Sequence, residues 1–277
     1  MGTRSSASLL ETMDKAGLRP LIAAAASAVR WATRRGDQRF SVDPSGNWVN
    51  RQPDATIVSP TIHASPFDAY RGLVLDYWAF QYRPKAGDTV IDVGAGVGEE
   101  AVVFSKLVGE QGRVISIEAD PATFACLEET VRRSSLHNVT TISCAIADRD
   151  GPVVIDQTDS HIANSIMTGS TGCEVPGRSL DSLADELGLA QIDLLKMNIE
   201  GAERLAVKGM NRIARNLRHV VISCHDFIAD GGGSAEFRTF DEVRQSLEAL
   251  GFDIETRPDH ADPWTRYYLY GRNRALS

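Results

Sequence analysis

The sequence predicts an α/β fold: a mostly parallel sheet with an antiparallel C-terminal strand pair, helices on both faces, and an N-terminal helix and hairpin extension. Three observations predict it. Between residues 88 and 224 short β-branched runs alternate with helical stretches, the pattern of repeated βαβ units. A glycine-rich turn, Asp92-Val93-Gly94-Ala95-Gly96-Val97-Gly98, directly follows the first run and opens a helix at Glu99. The last two β-like runs, 252–256 and 267–270, follow an amphipathic helix and pair to close the sheet.

Each element can be justified in order. Leu18, Ile22, Ala25 and Val29 recur at helical spacing, so residues 18–33 form an amphipathic helix packed on a core or a partner. That segment is shorter than the ~20 apolar residues of a bilayer span, and a cleaved signal or membrane-surface helix is the alternative. Residues 40–59 alternate apolar and polar positions around Asp-Pro-Ser-Gly and Gln-Pro-Asp, the chemistry of short strands joined by tight turns. Residues 1–66 are therefore an N-terminal extension, and residues 67–277 the main domain. A helix over 67–82 carries Tyr70, Leu73, Val74, Tyr77 and Trp78 before Pro84 stops it. Strands follow at 89–93, 114–117, 139–143, 192–197 and 220–224. Asp120-Pro121 marks a helix start, and Phe237, Phe240, Val243, Leu247 and Leu250 form the stripe of a helix over 237–250.

Composition narrows the function. With 29 Lys and Arg against 37 Asp and Glu, the net charge is −8, which argues against a protein built to hold a nucleic-acid backbone. Cys126, Cys144, Cys173 and Cys224 include no CxxC pair, as expected of reduced thiols in a cytoplasmic protein.

The glycine turn is the sharpest chemical signal. Its glycines let the backbone approach a ligand closely, and the helix start behind them offers free N–H groups. The dinucleotide spacing GxGxxG would need glycine at position 99, which is glutamate, so the turn speaks against NAD. Glu99 and Glu100 would repel a pyrophosphate there but tolerate a ribose and a cation. S-adenosylmethionine has no phosphate and carries a sulfonium. Glu118, at the end of the next strand, can accept hydrogen bonds from both ribose hydroxyls.

The runs GDTVIDVGAGVGEEAVVFSKLVGEQGRVISIEADPATFACLE, NVTTISCAIADRDG and SLDSLADELGLAQIDLLKMNIEGAERLAVKGM closely resemble the FkbM-type family of S-adenosylmethionine-dependent methyltransferases. The resemblance implies the Rossmann-like class I methyltransferase fold from about residue 68 onward. It places Asp92, Gly94, Ala95, Gly96 and Gly98 along the methionine side of the cofactor. Glu118 and Ala119 would hold the ribose, Ala145 and Asp148 would border the adenine, and Asn198 would complete the set. Asn198 is a departure, because the family usually carries aspartate before x-Glu-Gly-Ala-Glu. The implied reaction is O-methylation of a sugar or secondary metabolite.

Glu200, Asn198 and His225 are the candidate catalytic residues. His225 follows a strand at its carboxyl end, where an imidazole serves as general base near neutral pH, and a histidine hydrogen-bonded into its loop is the competing role. His161 is the second choice. Glu203 is expected as a solvated or helix-terminal carboxylate. One histidine beside carboxylates does not amount to a metal site, so no metal is expected. Acceptor contacts are expected from the N-terminal extension, the 156–178 loop, the 230–234 hinge and the 260–264 turn, with Trp48, Trp78 and Trp264 as stacking or core residues. The partner is a small-molecule or glycan acceptor, with neither nucleic acid nor integral membrane association, and the extension would suit a homodimer. The competing readings are an NAD-dependent oxidoreductase and a non-catalytic cofactor-binding subunit.

Overall fold

The computed structural model describes residues 18–32, 37–62, 65–156, 165–166 and 172–276. Helix α1 (Arg19–Ala32) packs Ile22 and Ala23 on Phe40 and Trp48 of a small sheet. That sheet has three antiparallel strands, β1 (Arg39–Val42), β2 (Trp48–Arg51) and β3 (Thr56–Ser59), rather than the two of the expected hairpin. The third strand forms because Val49, Ile57 and Val58 enter the same core as the main domain. Helix α2 (Phe67–Tyr77) ends well before Pro84; its C-cap Trp78 still donates its N–H to Val74 O and packs its ring on Tyr268, centroids 4.9 Å apart.

The main sheet begins with β4 (Thr89–Val93), α3 (Glu99–Val108), β5 (Arg113–Glu118), α4 (Pro121–Arg133) and β6 (Val139–Ser143). A second sheet follows, built from β7 (Ala145–Ile146), β8 (Gly151–Asp156), β9 (Ser165–Ile166) and β10 (Cys173–Arg178). Part of the expected 156–178 loop is therefore strand: β10 pairs antiparallel with β8 over five residue pairs, burying Val175 against Ile155. The chain returns to the main sheet through α5 (Leu180–Glu186), β11 (Ile192–Met197), α6 (Glu203–Lys208) and β12 (Leu217–Ser223). It closes with α7 (Asp226–Asp230), α8 (Phe240–Ala249), β13 (Phe252–Glu255) and β14 (Tyr268–Asn273). Helix α8 starts three residues later than expected because Asp226 Oδ2 accepts from the N–H groups of Thr239 and Phe240, both at 3.0 Å.

The seven strands of the main sheet lie in the order β13-β14-β12-β11-β4-β5-β6, with β14 alone running opposite to the other six. This is the α/β fold that the sequence predicts. Every residue of β11 is buried, as a central parallel strand covered on both faces demands. Alternate residues serve opposite faces: Ile91, Leu195 and Ile222 pack beneath α5, α6 and α8, while Val90, Leu194 and Val221 meet α2 and α3. The strand order reverses between β4 and β11, and open α/β sheets bind ligands at that point, outside the strand carboxyl ends. Among the described residues no helix is long and apolar enough to cross a membrane.

Candidate active site

The glycine turn leaves β4 under β5: the N–H groups of Gly94 and Ala95 both donate to Ile117 O, at 2.9 and 3.0 Å. Gly94 has φ +72, and a Cβ there would meet Asn198 O at 1.9 Å, so only glycine lets the β11 turn lie against the β4 turn. Gly98, at φ +94, forms the N-cap of α3 directly against Leu127 and Thr130. Glu118 ends β5 and is held from two sides, its carboxylate accepting from the N–H groups of Gly96 and Asp120, each at 2.9 Å. Burial pushes the Glu118 carboxyl up to about 7 against the pull of these two donors.

These elements surround a cavity of about 510 Å³, a volume typical of small-molecule sites. Of the residues singled out from the sequence, Gly94, Gly96, Glu118, Ala119, Ala145, Asn198 and Glu200 line it, and Tyr70, Glu99, Glu100 and Asp120 join them. Four expected cofactor residues do not line it. Asp92 is completely buried beneath the glycine turn, paired at 2.8 Å with Lys196, its register partner on the adjacent strand β11. Ala95 and Gly98 shape the turn without lining the cavity. Asp148 is exposed, 3.3 Å from Arg149, because the chain turns outward between β7 and β8.

His225 does not have the chemistry of a free base. Its Nδ1 is 2.8 Å from Glu203 Oε1 and its Nε2 is 3.1 Å from Glu200 Oε1. Burial works against a charged ring, yet the two carboxylates outweigh it and lift the imidazole to about 10. The ring therefore holds its proton at neutral pH. Glu203 is fully buried rather than solvated, accepting also from Gly201 N at 3.1 Å and Thr239 Oγ1 at 3.2 Å. Trp48 and Trp78 are core residues, and Trp264 is exposed. His161 lies outside the described residues.

Sequence reasoning missed Tyr70, Lys196 and Glu203. A lone lysine within the apolar run Ile192–Met197 was the available signal for Lys196, since an unpaired charge is not buried in a central strand. Nothing local marks Tyr70, whose phenol is pushed well above its ordinary range by burial and by Glu100.

The cavity fits S-adenosylmethionine on its own terms. Among the described residues that line it, Glu99, Glu100, Glu118, Asp120 and Glu200 are acidic and none is lysine or arginine. Such walls suit a ribose and a cation and repel a pyrophosphate.

The chain is 24% identical over 208 residues to Methyltransferase 1 of Beauveria bassiana, covering 65% of this chain and 78% of that protein. It is 39% identical over 103 residues to a protein-L-isoaspartate O-methyltransferase of Methanococcus maripaludis, covering 36% of this chain and spanning only 43% of that relative's length. Among solved structures it is similar to methyltransferase FkbM from Methylobacillus flagellatus, at 21% identity and a TM-score of 0.47 over 67% of this chain and 43% of that one. The sequence model of the methyltransferase FkbM domain matches residues 92–254, from the buried aspartate before the glycine turn to the penultimate strand. With more than half of its length so matched, the chain belongs to the FkbM methyltransferase family, whose cofactor is S-adenosyl-L-methionine.

Proposed function

We propose that the protein transfers the methyl group of S-adenosylmethionine to a hydroxyl of a sugar or secondary-metabolite acceptor. The observation that carries the reading is the pairing of a doubly anchored carboxylate, Glu118, with a glycine turn in a cavity whose described lining holds no lysine or arginine. Glu118 and Ala119 would hold the ribose, Ala145 and Ile146 the adenine, and Gly94, Gly96 and Asn198 the amino-acid end. When bound, the cofactor supplies an electrophilic methyl on a cationic sulfur. Methyl transfer is an in-line displacement, so the chain's contribution is to align acceptor and methyl and to exclude water. A hydroxyl acceptor is supported by the family resemblance, and the acidic walls disfavour phosphorylated or carboxylated acceptors. The four thiols, three of them buried, support a cytoplasmic setting.

Thermal unfolding with and without S-adenosylhomocysteine tests the cofactor half of this reading. A ligand specific to the folded state adds about 2.7 kcal/mol at a hundredfold excess over its Kd. An upward shift with S-adenosylhomocysteine and none with NADH is expected. A shift with NADH alone would replace the reading with a dehydrogenase.

A further inference from the structure

Glu200 is in a backbone conformation that side-chain-bearing residues rarely adopt, φ +51, with Gly201 following at +99. Such a residue persists only where its surroundings hold it. What holds Glu200 is a chain that starts from two buried groups, Glu203, fixed by Gly201 N and Thr239 Oγ1, and then His225, and ends at the half-buried Glu200 carboxylate on the cavity wall. Phe227, with its ring centroid 5.5 Å from that of His225, covers the chain from the solvent side.

We infer that Glu203 and His225 are positioning residues that hold the Glu200 carboxylate at the cavity wall, and that Glu200 recognises the cationic sulfur centre of the bound cofactor. The inference rests on the cofactor reading above. Sheet order supplies the direction. Glu118 ends β5 and Ala145 opens β7 just beyond the carboxyl end of β6, on one side of β4, whereas Glu200 follows β11 on the other. A ligand with its nucleoside over β5 and β6 extends its sulfur, and beyond it its amino-acid end, toward the β4–β11 switch point. There the 198–200 turn lies directly against Gly94. An imidazolium between two carboxylates leaves one net negative charge, delivered at the cavity wall by the partner that reaches it. The arrangement therefore prefers the cationic cofactor to its neutral thioether product, which eases exchange of one for the other after turnover.

The test is calorimetric binding of two probes to the full chain: S-adenosylhomocysteine, neutral at sulfur, and sinefungin, which carries an ammonium in place of the methylsulfonium. Glu200→Gln should weaken sinefungin about tenfold or more and S-adenosylhomocysteine less than about threefold, since both share every other charge. His225→Gln should show the same selectivity. Equal loss of both ligands, or no loss of either, overturns the assignment. Histidine-labelled NMR of the ligand-free protein provides a readout independent of any ligand: at about pH 8, where an unperturbed imidazole is neutral, His225 should be protonated. A neutral ring there overturns the positioning chain even if Glu200→Gln behaves as expected. Failure of the wild-type protein to bind either probe removes the cofactor reading itself, and the recognition role of Glu200 with it.

Discussion

Lys196 Nζ stands 2.8 Å from Asp92 Oδ1 and 2.8 Å from Gly94 O, and neither the lysine nor the aspartate exposes any side-chain surface. The ammonium also faces the Trp78 ring, 5.1 Å from its centroid. One buried cation thus ties the end of β4, the first glycine of the turn and the N-terminal side of the domain together. Burial lowers the lysine, but Asp92 and Glu100 prevail and keep it above its ordinary range.

Lys196→Met should destabilise the protein by about 3–5 kcal/mol, because it leaves a buried carboxylate without its partner. The double variant with Asp92→Asn should recover much of that loss. Urea unfolding of both variants measures the difference. A Lys196→Met cost no larger than that of a surface substitution would mean that the pair contributes nothing to the fold.

The two glycines of the turn should respond differently to the same change. Gly94→Ala places a methyl 1.9 Å from Asn198 O, so the β11 turn must move and S-adenosylhomocysteine binding should be lost. Gly96→Ala meets nothing within 4 Å and suffers only from its φ of +54, a penalty of about 1–2 kcal/mol. Measured side by side by calorimetry and thermal unfolding, equal effects would refute the steric account.

The sheet was legible because its strands are separate short runs rich in β-branched and apolar residues: 89–93, 139–143 and 192–197 match the observed β4, β6 and β11 residue for residue. The glycine turn and Glu118 were legible because positive φ and a strand-end carboxylate leave marks in sequence. The site's second layer was not. Glu203 reads as an ordinary acidic residue in a first helical turn, and only the return of β12 brings His225 onto it. His225 likewise reads as a base until two carboxylates are found on its two nitrogens. Tyr70 reaches the cavity from α2 through packing that no local pattern encodes. Strands β8 and β10 pair across a long connection, and their short, half-exposed alternation resembled a loop.

Binding should depend on pH through Glu118. Its carboxyl lies at about 7, and only the ionised form can accept from both ribose hydroxyls while keeping its two backbone donors. Affinity for S-adenosylhomocysteine should therefore fall as pH drops below about 7, by about tenfold per unit at the steepest. Glu118→Gln should bind about 10–100-fold more weakly at neutral pH and lose this dependence, since an amide does not titrate and presents one acceptor in place of two. Calorimetry across pH 5.5–8.5, spanning about 1.5 units on either side of that midpoint, distinguishes the two curves. A pH-independent wild type would mean that Glu118 does not meet the ribose as a carboxylate.

Stability should depend on pH through His225, and the sign follows from its two carboxylates. The imidazole is lifted to about 10 in the folded protein. In the unfolded chain it titrates at about 6.5. Between those values the folded state binds more protons than the unfolded one, so unfolding free energy decreases as pH rises. The contribution is complete below about 6.5 and is lost as pH passes through the folded value, with a slope of up to about 1.4 kcal/mol per pH unit. Other groups titrate in that window, so the measurement is the difference between wild type and His225→Gln in urea unfolding from pH 6 to 10, which brackets the interval from about 6.5 upward. The wild type should lose its advantage steadily toward pH 10, because glutamine keeps a polar contact but carries no charge to lose. Parallel curves would show that His225 is neutral in the folded protein, and that Glu200 is held on the cavity wall by a hydrogen bond rather than by an ion pair.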